Sequence, residues 1–316
     1  MEIIRGWRDI PAAFYGASLA IGNFDGVHRG HRVVLDAAKA AATKGRCRTA
    51  SGCPAGVVVF EPHPRQYFQP EKPFFHLTTM DRKLELLAEY GMALTVVLPF
   101  DAEFARLTAE EFVRDVLVEG LGIRHATTGY NFFFGNGREG NPDVLRSLGN
   151  KYDFGVTIVE AVGSSGEIFS STRVRELLAE GDVAAAADML GRFWQKKGVV
   201  ETGAGRGAGL GFPTANIRLQ RNIALGHGIY AVRVTTADGK RYNAAAYLGT
   251  RPTFDAGAPL LESFLLDFEG NLYGQEITVE FVDYIRADAK FKSISDLTKQ
   301  IKVDCTKARE ILAALE

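Results

Sequence analysis

Residues 20–35, AIGNFDGVHRGHRVVL, leave little freedom in the choice of fold. An apolar run over 18–21 stops at Gly22, a short polar turn follows, and a helical pattern opens with two histidines three residues apart. Residues at i and i+3 share a helix face, so His28 and His31 point the same way. They do so at a helix end where free amides and the dipole favour anions. A strand, a tight turn and a helix in that order suit the triphosphate of a nucleotide. Gly22, Asn23, Phe24, Asp25 and Gly30 are the candidate phosphate contacts beside the two imidazoles. Two other readings of the histidines are a chance pair on a surface helix and half of a zinc site. No cysteine cluster or third ligand stands at metal spacing, and a bare histidine pair would not need the glycine-bounded turn.

The rest of the chain repeats the strand-then-helix grammar up to about residue 184. Short apolar runs at 19–21, 57–60, 95–98, 125–129 and 156–162 predict strands. Helical patterns fall at 30–44, 79–90 and 109–121, the last two opened by Thr78-x-x-Asp81 and Thr108-x-x-Glu111 at capping-box spacing. Such alternation predicts a parallel sheet covered by helices. Polar motifs follow each strand: the Gly22 turn, then residues 61–65, Phe100-Asp101, Tyr130-Asn131-Phe132, and the run 170–175. Ligands of open α/β sheets bind beyond the carboxyl ends of the strands.

A helix over 183–190 closes this region, and the texture then changes. From 198 to 286 the pattern is all-β. Residues 229–235 lead through Asp238-Gly239 into 242–248, and 262–268 lead through Glu269-Gly270-Asn271 towards 276–282. Both read as hairpins, and the whole as a small antiparallel barrel. A terminal helix opened by Ser293-x-x-Asp296 carries an apolar stripe of Leu297, Ile301, Cys305, Ala308, Leu312 and Leu315, predicting that it lies across the barrel. The expected architecture is a Rossmann-like α/β domain over 1–184, then a β-barrel domain over 185–316 with a terminal helix. A length of 316 residues accommodates two domains.

The second rich segment lies in the barrel half. Gly203-x-Gly205-x-x-Ala208 mimics a dinucleotide fingerprint, but Pro213 and its successors do not read as the helix that fingerprint needs. Gly205, Gly207 and Gly211 instead let the backbone close over phosphates, and Thr214 and Asn216 offer hard oxygens to Mg²⁺. A purely structural glycine loop is the other reading. Glu262 shares a strand face with Phe264, Leu266 and Phe268. That face is expected to line the barrel interior, where partial desolvation raises a carboxylate towards the range of a general base. The alternative is a solvated carboxylate beyond the strand.

Net charge is −1 and 24% of residues are charged, so no global field draws the chain to nucleic acid. The first residues, with Glu2, Arg5, Arg8 and Asp9, show no apolar leader, and no apolar run reaches membrane-spanning length. A cytoplasmic protein is expected, with Cys47, Cys53 and Cys305 as reduced thiols.

The segments GNFDGVHRGH, FEPHPR, GYNFFFG, SSTRVRELL, GRGAGLGFPTANI, GTRPTF and LESFLLDFEGNLYG, with a KF-containing approach to the last helix, stand in one order from residue 20 to 312. The chain resembles the bacterial bifunctional riboflavin kinases/FMN adenylyltransferases, and His28-x-Gly30-His31 resembles the HxGH signature of nucleotidyltransferases. The resemblance implies that the barrel phosphorylates riboflavin with ATP, and that the N-terminal domain transfers AMP from a second ATP to FMN, giving FAD and pyrophosphate. It implies ATP phosphates against Asn23, His28 and His31, with Ser171, Thr172, Arg173 and Arg175 closing over them. Asn131, Phe132 and Arg251 fall in flavin segments, Mg²⁺ on Thr214 and Asn216, and the kinase base on Glu262. The partners implied are small molecules only: ATP, riboflavin and FMN. Three positions depart from the pattern: Phe133, where a base is frequent; Phe193, where proline is; and Tyr247, where asparagine is. The alternative to two activities is a nucleotidyltransferase whose barrel only binds flavin.

Overall fold

The computed structural model describes residues 1–8, 10–44, 53–164, 166–202, 212–220, 222–250 and 259–315. The chain divides into two compact units, Met1–Ser171 and Thr172–Glu316.

In the first unit six strands form one parallel sheet: β1 (Glu2–Arg5), β2 (Ser18–Ile21), β3 (Ala55–Glu61), β4 (Leu94–Pro99), β5 (His125–Gly129) and β6 (Gly155–Val159). Their order is β1-β4-β3-β2-β5-β6. The chain steps outward one way from β2 through β3 to β4, then restarts on the other side of β2 with β5 and β6. The crevice between β2 and β5 is therefore the topological switch point, where such sheets hold ligands. Both faces are covered, as a parallel sheet requires. Along β3, Val57 and Val59 join one apolar cluster, while Val58 and Phe60 join the other.

The helices are α1 (Arg29–Lys44), α2 (Pro64–Phe68), α3 (Met80–Glu89), α4 (Ala109–Glu111, continuing as a π-helix over Phe112–Gly120) and α5 (Pro142–Lys151). Thr108 and Glu111 close the expected capping box. The cap of α3 is Thr79, not Thr78: the Thr79 hydroxyl accepts from Arg82 N, because Thr78 is engaged elsewhere. β1, which adds to the open edge of β4, is absent from the sequence reading.

The second unit contains α6 (Ser171–Glu180, starting at the unit boundary), α7 (Val183–Leu190) and a closed antiparallel barrel of six strands. With the short pair Gly163–Ser164 and Glu167–Ile168 as β7 and β8, the barrel strands are β9 (Trp194–Glu201), β10 (Ala215–Arg218), β11 (Gly228–Thr235), β12 (Arg241–Thr250), β13 (Pro259–Leu265) and β14 (Glu276–Arg286). They close in the order β10-β13-β12-β11-β14-β9. The β11–β12 hairpin forms as expected, with Gly239 at φ 82° in its turn. The second expected hairpin does not form. Both edges of β13 are taken, by β10 and β12, and β14 pairs with β11 and β9 instead. The barrel also begins before the expected residue 198, with Trp194 buried at the start of β9.

The last helix, α8 (Ile294–Ala313), packs Ala308 and Leu312 on Ala231, Ala245 and Val282 of the barrel. Small residues on β11 and β12 let the helix approach. Asp304 sits 3% exposed inside the apolar stripe, gripped by Arg286 Nε at 2.9 Å and Nη2 at 2.6 Å, with Gln300 Nε2 at 3.0 Å. Leu315 lies outside the stripe's buried part, at 50% exposure.

The expectation of three thiols fails at Cys53, which takes part in a disulfide; an odd count leaves room for one pair. Cys305 is a free thiol, and burial pushes it up to about 11. Because the thiolate is the nucleophile, its alkylation by iodoacetamide at pH 8 is expected to lag far behind a small thiol and to accelerate towards pH 11. Adduct mass against time checks this; labelling at the small-thiol rate at pH 8 contradicts it.

Candidate active sites

The first site grows from the end of β2. Gly22 N donates to Val58 O at 3.2 Å, and the chain then turns through Phe24 (φ 47°), Gly26 (φ 87°) and Val27 (φ 41°). Left-handed backbone at a phenylalanine and a β-branched valine is strained, by about 1–3 kcal/mol each, and persists only where the surroundings over-determine it. Phe24 and Val27 are anchored by burial, each 2% exposed. Between them the Asp25 carboxylate accepts from Leu77 N and Thr78 N at 3.1 Å each and from Thr78 Oγ1 at 3.2 Å. Thr78 Oγ1 in turn accepts from Gly26 N at 3.1 Å, and Ser171 Oγ donates to the Asp25 carbonyl at 2.8 Å.

Asp25 thus braces the turn. Its replacement by alanine strands buried amides at Leu77 and Thr78, and is expected to destabilise the first unit by roughly 3 kcal/mol. Denaturant unfolding of that unit checks it; an unmoved midpoint contradicts it.

The braced turn delivers His28 to the start of α1. His28 is 5% exposed, and its Nδ1 accepts from His31 N at 3.2 Å, capping the helix. With Nδ1 accepting, the neutral ring carries its proton on Nε2 and can donate there. The two imidazoles stack, 3.5 Å between centroids at 18°, and the His31 ring meets Phe24 edge-on at 5.1 Å. A Cβ on Gly30 would lie 3.1 Å from Phe169 and 3.2 Å from His28 Cε1, so the stack depends on that glycine. Asn23 Oδ1 is buried and accepts from no donor among the described residues. An acceptor left so costs about 1–3 kcal/mol, which a donor on a ligand removes.

On the far side of the switch point, Tyr130 N donates to Val159 O at 2.8 Å and Phe132 N to Gly129 O at 3.1 Å. Phe132 stacks on Phe134 at 5.5 Å, and Asn131 is exposed. The Arg138 guanidinium lies 4.7 Å over the exposed Phe133 ring. Of the run 170–175, Ser171 reaches the Asp25 carbonyl. Thr172, Arg173 and Arg175 follow it along α6 in the second unit, where Arg173 Nη1 is 3.6 Å from Glu176 and 3.7 Å from Glu180.

The second site lies on the barrel. Register places Glu262 opposite Asn216. Its face is not the expected one: Leu261 and Ser263 are 0% exposed and Leu265 5%, opposite the buried Leu248, Ala246 and Ala244. The odd positions of β13 fill the interior, and Glu262 and Phe264 are on the outer face, so the interior carboxylate of the sequence reading is corrected to an outer-face one. Asn216 is 5% exposed; its Nδ2 donates to Thr214 O at 3.3 Å, and its Oδ1 accepts from no donor among the described residues. Phe212 meets Phe264 edge-on at 5.1 Å. Gly205, Gly207, Gly211 and Arg251 lie outside the described residues. Among the described residues no group of three His, Cys, Asp or Glu is placed to hold a metal, and Thr214 with the open Asn216 Oδ1 is the oxygen set that fits a hard cation.

The structure brings together His28, His31, Phe24 and Gly30, with Asp25 and Ser171 beneath them, and separately Thr214, Asn216 and Glu262. Sequence reasoning missed Thr78 as the brace of Asp25; the adjacent Thr78-Thr79 pair is the only signal for it, and capping spacing assigns it wrongly.

Comparison with known proteins gives matches along almost the whole chain. A family model described as FAD synthetase matches residues 10–173, and one described as riboflavin kinase matches residues 190–312. A bifunctional riboflavin kinase/FMN adenylyltransferase of Escherichia coli (strain K12) is 39% identical over 311 residues, covering 98% of this chain and 97% of its own. That of Haemophilus influenzae is 36% identical over 309 residues, 98% of each chain. A crystal structure described as a macrolide-efflux protein from Streptococcus pneumoniae superposes with a TM-score of 0.86 at 30% identity, covering 98% of this chain and 99% of that one.

Proposed function

The chain belongs to the family of bifunctional riboflavin kinases/FMN adenylyltransferases, and we infer from that premise how its two sites divide the work. We assign adenylyl transfer to residues 1–184 and riboflavin phosphorylation to residues 185–316. The observation that carries the first assignment is the stacked His28–His31 pair, held at the head of α1 beside the switch point.

In adenylyl transfer a phosphate oxygen of FMN attacks the α-phosphorus of ATP, the bond to the bridging oxygen breaks, and pyrophosphate leaves. The nucleophile is already anionic, so no base is required, and catalysis is positioning and charge stabilisation. His28 Nε2 and His31 donate to the developing charge, with the α1 amides behind them. Asn23 takes a donor from the nucleotide. Gly22, Phe24 and Gly30 give the turn its close approach, while Asp25 acts by bracing it. We assign Ser171, Thr172, Arg173 and Arg175 to the phosphates, as the family resemblance implies. Asn131 and Phe132 hold the flavin nucleotide, and Arg138, seated on Phe133, supplies positive charge where the family often places a base.

In phosphorylation a neutral ribityl hydroxyl attacks the γ-phosphorus, its proton passes to Glu262, and ADP leaves. We assign phosphate binding to Gly205, Gly207 and Gly211 and flavin binding to Arg251, as the family resemblance implies. Thr214 and Asn216 would hold Mg²⁺, which when bound neutralises charge on the nucleotide phosphates. The protein works in the cytoplasm on small molecules; among the described residues no helix is long and apolar enough to cross a membrane. Efflux, the activity given for the Streptococcus pneumoniae protein, is not carried over, since both matched family models concern flavin nucleotides.

Supplied with FMN and ATP, the protein is expected to release pyrophosphate and FAD in equal amounts. Release of ADP and orthophosphate without FAD contradicts the assignment.

A further inference from the structure

On the outer face of the barrel a tyrosine stands beside Glu262. The antiparallel register of β12 and β13 sets Tyr247 directly opposite Glu262, as Asn216 is opposite it on β10. Asn216, Glu262 and Tyr247 thus form a line across three strands with the carboxylate in the middle. Opposed side chains in such a pair have Cβ atoms about 4.5–5.5 Å apart, so the tyrosine borders Glu262. Among the described residues, contacts with Asp288 and Gly249 hold its far end. The hydroxyl donates to Asp288 Oδ2 at 3.1 Å. The ring tip covers Gly249, where a Cβ would lie 1.9 Å from the hydroxyl oxygen and 2.3 Å from Cζ. Two residues earlier on the same face, Ala245 is covered by α8. Tyr247 therefore stands between the helix-covered part of the outer face and the part that carries Glu262 and Asn216.

We propose that Tyr247 is a positioning residue for phosphoryl transfer: its ring, pinned by Asp288 and seated on Gly249, confines the Glu262 carboxylate to orientations that face the reacting hydroxyl. The inference rests on Glu262 as the base. The proton still passes from the ribityl hydroxyl to Glu262, and Tyr247 takes none. Misplacing a catalytic group by about 1 Å costs on the order of 10²-fold, so an unconfined carboxylate should lower kcat rather than ATP binding.

The test is steady-state riboflavin phosphorylation by the full chain, with Glu262→Gln assayed alongside. Tyr247→Ala is expected to lower kcat roughly 30-fold, within the range set by such misplacement. The KM for ATP and the conversion of FMN to FAD stay unchanged. Gly249→Ala pushes the ring aside without altering Tyr247 and is expected to lower kcat in the same way. Tyr247→Phe and Asp288→Ala remove one hydrogen bond from its two ends. Each should therefore lower kcat about threefold, and the double variant no further, as coupled partners do. A Tyr247→Ala enzyme at wild-type kcat beside an inactive Glu262→Gln overturns the proposal and leaves the base assignment standing. A fully active Glu262→Gln overturns both. If Tyr247→Ala does not fold, the Tyr247→Phe and Asp288→Ala pair decides, with no loss or additive losses contradicting the proposal.

Discussion

Replacing His31 by alanine is expected to abolish FAD formation from FMN while riboflavin is still phosphorylated. The His31 ring stacks on His28 at 3.5 Å, and the same histidines are joined by the bond from His31 N to His28 Nδ1. On the proposed assignment the substitution removes one donor to the α-phosphoryl oxygens and the ring that stacks on the other donor. Loss of one such donor costs on the order of 10²–10³ in rate, and loosening His28 adds to it. The backbone amide that His28 caps is still present in alanine, so α1 keeps its start and the unit its fold. Riboflavin phosphorylation, which we assign to residues 185–316, serves as the internal control. An alanine variant that makes FAD at a near wild-type rate contradicts the site.

Glu262→Gln should lower FMN formation by roughly 10²–10⁴-fold, the usual contribution of a positioned base, while FMN supplied directly is still converted to FAD. Glutamine keeps the size and the outer-face position opposite Asn216 but cannot take the hydroxyl proton. Equal loss of both activities would mean that the substitution had disturbed folding rather than chemistry.

The first unit was the more legible in sequence, for a physical reason. In a parallel sheet buried on both faces, strands such as β3 and β4 are short continuous apolar runs, each followed by a helix pattern, so local signals and topology coincide there. The polar β5 and the α5 that follows it carried no such signal. The Gly22 turn and its histidines could be placed because the run 18–21 ends where β2 ends.

Pairing in the barrel is set by non-local partners. Glu269-Gly270-Asn271 is a sound turn signal, yet it does not say that β13 is already flanked by β10 and β12. Sidedness failed at β13 because Leu261 and Leu265 are apolar at one parity while Phe264, Leu266 and Phe268 are apolar at the other. Only the opposing Leu248 and Ile217, buried at 0% and 1%, decide between them. β9 was hidden because Lys196, whose ammonium burial holds below the ordinary lysine value, interrupts the face it shares with Trp194 and Val200. Asp304 was hidden likewise, since a lone carboxylate in an apolar stripe gives no sign of Arg286.

Two consecutive reactions by one chain distinguish a bifunctional enzyme from a nucleotidyltransferase whose barrel only binds flavin. The direct measurement is to incubate the pure protein with riboflavin, ATP and Mg²⁺ and to separate the flavins over time. FMN rising first and FAD following at its expense is the predicted result. Riboflavin left unconverted, or FMN that accumulates and never gives FAD, would contradict it.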